Sequence, residues 1–184
     1  MANTNGLFSC SGFLLFLYVQ FVRAQKDNLI VELESFEIDR KFDSTFVDWN
    51  SLRMARIGRN QFVINGTAIS NRDLNNRHSL NLQVYTYDDK NKLRGLLVFN
   101  VEQKICEFME QDEGVYPKLR EVSNLPEPGT CPLAKGEYHI KNFEITDDYL
   151  PSDAIDGYYN IVAKLKNGSN TVAALEILVK ISHQ

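Results

Sequence analysis

The chain has 184 residues, the size of about one domain. Its 20 lysines and arginines against 24 aspartates and glutamates give a formal net charge of -4 with the two signs interleaved, which argues against a nucleic-acid partner. At 43% hydrophobic and 24% charged it can build a core, so whole-chain disorder and low-complexity scaffolds are excluded.

From Gly12 to Val22 the chain reads GFLLFLYVQFV, an uncharged apolar run followed by Val22-Arg23-Ala24, the small-residue pattern of a cleavage site. Residues 1–24 are therefore expected to be a secretory signal peptide, although the preceding MANTNGLFSCS carries no lysine or arginine. An uncleaved anchor is the competing reading, and the run falls short of the roughly 20 residues that span a bilayer. No later stretch is apolar enough to span. The expected product is one extracellular domain, residues 25–184, with no stable membrane span.

Removal of the leader also removes Cys10 and leaves Cys106 and Cys131, an even number in an oxidising compartment, so one disulfide is expected. It would close about 25 residues, for which chain entropy gives roughly 3 to 4 kcal/mol. A metal or redox pair lacks support, because there is no CxxC and the histidines are scattered. Asn65-Gly66-Thr67 and Asn167-Gly168-Ser169 are glycosylation sequons, or else unmodified Asn-Gly turns.

In chain order, Leu29–Ile38 begins apolar and then alternates, as a first strand does. An aromatic linker with Phe42, Phe46 and Trp49 follows, then a short strand over 52–57, a turn at Gly58-Arg59-Asn60 and a returning strand over 61–69. In that strand Phe62 and Ile64 share one face while Gln61, Val63, Asn65 and Thr67 share the other, so Asn65 is expected to point outward. Residues 80–87 set Leu80, Leu82 and Val84 against Asn81, Gln83, Tyr85 and Tyr87, and an Asp-Asp-Lys-Asn-Lys turn leads to a strand over 93–99. Val101, Ile105, Phe108 and Met109 then recur at helical spacing, which predicts one short helix within 101–114 that stops at Gly114. Beyond it, prolines and glycines make 124–136 irregular, a loop that the disulfide would tether.

Period two returns over 138–145, 158–165 and 172–181. Tyr159, Ile161, Ala163 and Leu165 share a face, as do Ala173, Leu175, Ile177, Val179 and Ile181. The fold class that follows is all-β, an immunoglobulin-like two-sheet antiparallel sandwich with one short helix and a disulfide-tethered loop.

Catalysis finds little support. His78, His139 and His183 are the imidazoles, and no GxSxG elbow, HExxH helix or phosphate-cradling glycine loop accompanies them. His139 is expected to face solvent, and Trp49 to pack. Asp147, Asp148, Asp153 and Asp156 lack the spacing of a calcium loop. No metal, cofactor or enzymatic activity is expected.

The segment from Cys106 to Cys131, then Pro132-Leu133, Gly136-x-Tyr138-x-Ile140-x-Asn142, Leu150-Pro151, Gly157-x-Tyr159 and the long final apolar strand, resembles a large insect family of secreted proteins that includes the chemosensory B proteins. That family is similar to the lipid-recognition (ML) superfamily of the ganglioside activator and the Niemann-Pick C2 protein. The resemblance implies an apolar pocket opening between two sheets, without enzymatic chemistry. Phe62, Ile64, Leu82, Tyr159, Ile161 and Leu175 are the expected core, while Phe108, Met109, Leu119, Leu125 and Leu133, in or beside the irregular segment, are the expected pocket rim. Two functions are then open. One is a carrier or presenter of a lipid or other small apolar molecule, with a contiguous void. The other is a secreted interaction protein with a filled interior, whose apolar surface modulates a membrane receptor, channel or matrix partner.

Overall fold

A computed structural model describes residues 29–147 and 154–183. The expected signal peptide with Cys10 lies outside the described residues, as do Asp148, Leu150, Pro151 and Asp153. The strands are β1 (Leu29–Ile38), β2 (Val47–Asp48), β3 (Arg53–Gly58), β4 (Gln61–Ser70), β5 (His78–Asp88), β6 (Leu93–Lys104), β7 (Gly136–Phe143), β8 (Gly157–Asn167) and β9 (Asn170–His183), with helices α1 (Ile105–Gln111) and α2 (Val115–Glu121) between β6 and β7.

Two antiparallel sheets form an immunoglobulin-like sandwich. The large sheet has the order β1-β9-β8-β5-β6. In the small sheet β4 is central, with β2 and β3 end to end along one side and β7 along the other. The large sheet's ladder confirms the period-two faces. One row runs Phe36, Ile177, Ile161, Val84 and Phe99 across all five strands, and the next runs Ile38, Leu175, Ala163, Leu82 and Val101. The opposite face is mixed and carries the charge pairs. There Lys180 donates to Glu32 at 2.7 Å, Lys164 to Gln83 at 2.8 Å, and Lys166 and Ser79 both to Glu102 at 2.6 Å.

The apolar face meets the small sheet in a cluster of Leu33, Ile64 and Val179, joined by Phe36, Met54, Phe62, Phe143, Tyr159, Ile161 and Ile177. A second cluster fills one end of the sandwich, where Val47, Leu74, Leu165 and Ala173 pack with Ile105, Met109 and Tyr116 from the helices. Trp49 packs there, as expected.

Two local expectations are refined. The helix expected within 101–114 is present as α1, and a second, α2, follows it past Gly114. Val101 pairs with Leu82 in the β5–β6 ladder, so its helical spacing to Ile105 straddles a strand-to-helix junction. The second helix, α2, carries Pro117 in its first turn, where a missing N–H costs nothing. Val63, which alternation turns outward, is 0% exposed. Its strand is the middle of the small sheet, and Val63 pairs with Ala55 on β3.

Gly66 has φ +137, and a Cβ there would meet the Ser51 carbonyl oxygen and lie 2.8 Å from Leu52 Cα. Gly66→Ala is therefore expected to cost about 2 kcal/mol or more in urea unfolding, and an unchanged midpoint would contradict the close packing of Ser51-Leu52 on β4. Lys166, and then Ser79, hold the Glu102 carboxyl below its usual value near 4.5. A depressed carboxylate contributes stability above its unfolded pKa and loses it as pH falls through the folded one. Between about pH 6 and pH 3 the unfolding midpoint of Glu102→Gln should therefore fall less steeply than that of the unaltered chain.

Candidate functional site

The two sheets differ in width. Strands β1, β9 and β8 contribute Phe36, Ile177 and Ile161 of the first row to the core cluster shared with the small sheet. Val84 and Phe99, and Leu82 and Val101, continue the two apolar rows onto β5 and β6, and among the described residues none of the four belongs to either core cluster. Phe99 is 51% exposed and Val101 42%, while Leu82 and Val84 stay half-buried. Beside them on β6, Leu96 is 77% exposed, and Leu93, Leu97 and Val98 are also exposed. Phe99 and Val101 extend the inner rows, whereas Leu97 lies opposite Tyr85 on the other face, so both faces of this edge strand carry exposed apolar side chains.

The local cause lies in the β5–β6 ladder. Its register shifts twice, between Val84 and Tyr85 and between Tyr85 and Tyr87, so β6 carries extra residues opposite β5. Bulges of this kind twist an edge strand away from flat pairing. The Leu96 N–H donates to Thr86 Oγ1 at 2.9 Å, and Gly95 sits where a Cβ would strike that hydroxyl. On the polar side, Arg94 stacks 4.8 Å from the Tyr85 ring and pairs with Glu176 at 2.7 Å, anchoring the start of the strand.

At the far end of β6 the sandwich is closed. Ile105, Met109 and Tyr116 enter the core, Tyr116 donates its hydroxyl to the Pro126 carbonyl at 2.9 Å, and Phe108 meets the Tyr116 ring edge-on at 5.7 Å. Burial holds the Tyr116 phenol above its ordinary pKa. Cys106 on α1 is bridged to Cys131, with Cα atoms 5.6 Å apart, and Leu74 and Leu133 exchange two backbone hydrogen bonds of 2.8 Å. Of the expected rim, Met109 lies within the end cluster, Phe108, Leu125 and Leu133 pack against it, and Leu119 is half-buried on α2. The structure thus brings four of the five together, as packing under the helices. A recess beside that cluster, lined by Phe42, Trp49 and Ala173 among others, holds about 20 Å³, room for one water.

The imidazoles occupy three separate places. His78 is buried, its ring 5.3 Å from that of Phe46. His139 is exposed with Nδ1 3.0 Å from Thr67 Oγ1, and His183 pairs with Asp156. Among the described residues no three His, Cys, Asp or Glu side chains gather as a metal site, and no helix is long and apolar enough to cross a membrane. Asn65 is half-buried, and its amide donates to Asn142 Oδ1 at 3.2 Å and accepts the Asn142 N–H. Asn167 is exposed at the turn into β9.

The open face went unrecognised in the sequence, although Leu96-Leu97-Val98-Phe99 carries a signal for it. Four apolar residues in succession break the alternation of a half-buried strand and mark one whose two faces are both apolar.

A family model described as a protein of unknown function (DUF1091) matches residues 80–161, a little under half of the chain. The matched stretch contains most of β5, all of β6, both helices, the disulfide and the expected rim residues. No curated protein matches the chain.

The disulfide ties α1 to a loop that is also held by the Leu74–Leu133 backbone pair, by the Lys135 N–H on Asp73 and by Leu125 and Leu133 on the end cluster. Replacing both cysteines by serine should lower unfolding free energy by about 3 kcal/mol in urea titration, and a loss under about 1 kcal/mol would show that the end cluster holds without it.

Proposed function

We propose that this chain is a secreted, non-catalytic binding protein that holds a lipid or another elongated apolar molecule against the uncovered β5–β6 half of its large sheet. The observation that carries this reading is the continuation of two core rows, through Val84 and Phe99 and through Leu82 and Val101, beyond the edge of the small sheet. Apolar surface of this extent gains about 25 cal/mol per Å² when removed from water, and a ligand lying along the strip completes the sandwich that the small sheet leaves unfinished. The apolar run at residues 12–22 supports export, and the resemblance to lipid-recognition proteins supports the class of ligand. The disulfide and the helix-capped end provide a rigid wall beside the strip.

A second reading rests on a different property of the same strand. Among the described residues the outer edge of β6 pairs with no strand, so a receptor, channel or matrix protein could add one there by backbone hydrogen bonding. The register shifts weigh against it, because they interrupt the regular ladder that an added strand needs.

Phe99→Asp separates the two. A charge at this half-exposed position disfavours an apolar ligand but leaves the backbone edge intact. The variant should bind an environment-sensitive apolar dye at least about tenfold more weakly than the unaltered protein, with its melting temperature moved by only about 2 °C. Dye binding that is absent from the unaltered protein, or unchanged in the variant, would overturn the ligand reading.

A further inference from the structure

The two ends of the sandwich differ in chemistry. The helices, the disulfide and the Val47–Ala173 cluster occupy one end. The opposite end presents the β3–β4 turn, the β5–β6 turn and the residues that lead into β8, since Gln61, Asp88 and Gly157 all stand at that end of their strands. Each of the three offers an exposed apolar side chain: Ile57 at 47%, Leu93 at 63% and Ile155 at 75%.

The charges there are uneven. In the β5–β6 turn, Asp88 and Asp89 are engaged by the turn's own N–H groups, Asn91 and Lys92. The β3–β4 hairpin is different. From Leu52 to Phe62 it carries Arg53, Arg56 and Arg59 and no acidic residue, although the chain as a whole has a net charge of -4. All three arginines are exposed. Arg56 Nε donates to the Gly58 carbonyl at 2.9 Å and Arg53 to the Ser51 carbonyl at 3.4 Å, and among the described residues none of the three has a carboxylate partner. Arg56 and Arg59 bracket Ile57 at the tip.

We propose that this end of the sandwich docks on anionic phospholipid membranes through the β3–β4 hairpin, which places Arg56 and Arg59 at the phosphate level while Ile57 between them enters the interface. Charge complementarity selects the partner. An acidic protein is repelled as a whole by a negative bilayer, so unpaired cations gathered around an exposed isoleucine set the orientation in which it can approach. Shallow insertion of apolar side chains flanked by cations is the physical pattern of an interfacial anchor. Guanidinium also suits phosphate, because it offers paired donors in one plane. This inference goes beyond the binding reading and stands without it, since Arg56, Ile57 and Arg59 belong to the β3–β4 hairpin and none of the three lines the β5–β6 strip.

The test is co-flotation of the secreted full chain with vesicles of phosphatidylcholine alone or mixed with phosphatidylserine. The unaltered protein should float with the mixed vesicles, lose most of that binding at high salt, and stay behind with phosphatidylcholine. Arg56→Ala combined with Arg59→Ala should lower partitioning by about tenfold or more, and Ile57→Ser should lower it without changing the salt dependence. Both variants should keep apolar dye binding, so this inference and the ligand reading fail separately. Equal binding to neutral and anionic vesicles, no vesicle binding, undiminished binding by the double arginine variant, or retention on immobilised heparin without vesicle binding would each overturn it.

Discussion

A five-stranded sheet with two apolar rows running across its inner face lies against a partner sheet that is only three strands wide, and the rest of the structure follows from that mismatch. Hydrophobic burial is proportional to area removed from water, so each apolar row gains where the small sheet covers it and stays half-exposed beyond. The rows do not become polar at the boundary. Phe36, Ile177 and Ile161 lead into Val84 and Phe99 without a change of character. A monomer selected for stability alone would place polar side chains there, as it does across the opposite face with Glu32, Lys180, Lys164 and Glu102.

The helices and the disulfide solve the closure of one end. A sandwich open at both ends loses core to water, and here Ile105, Met109 and Tyr116 plug the gap left beyond Leu165 and Ala173. The connection that supplies the plug is rich in proline and glycine, with little regular pairing of its own. The bridge from Cys106 to Cys131 and the reciprocal bonds of Leu74 and Leu133 hold it down. Four of the five residues expected to line a pocket mouth, Phe108, Met109, Leu125 and Leu133, take part in this plug.

Much of the architecture was legible in the residues. Strands of the large sheet follow period two closely enough that the faces of β5, β8 and β9 were readable residue by residue, and the two remaining cysteines defined their own pairing. The junction at Lys104 was not legible, because Val101 satisfies helical spacing and strand alternation equally and only its pairing with Leu82 decides. Val63 misled for a related reason. Alternation reports the face of a strand, whereas burial on an outward face depends on neighbours contributed by other strands. The open strip was hidden at a deeper level, since a period-two pattern states which face is apolar and carries no information on what covers it.

Native mass spectrometry of the protein as secreted by a eukaryotic cell, followed by organic extraction of whatever accompanies it, addresses the central claim most directly. The account predicts a reproducible, stoichiometric apolar molecule that leaves on extraction and returns when offered to the extracted protein. A chain that arrives empty and takes up no apolar molecule afterwards would contradict it, leaving the strip on β5 and β6 as a surface for protein alone.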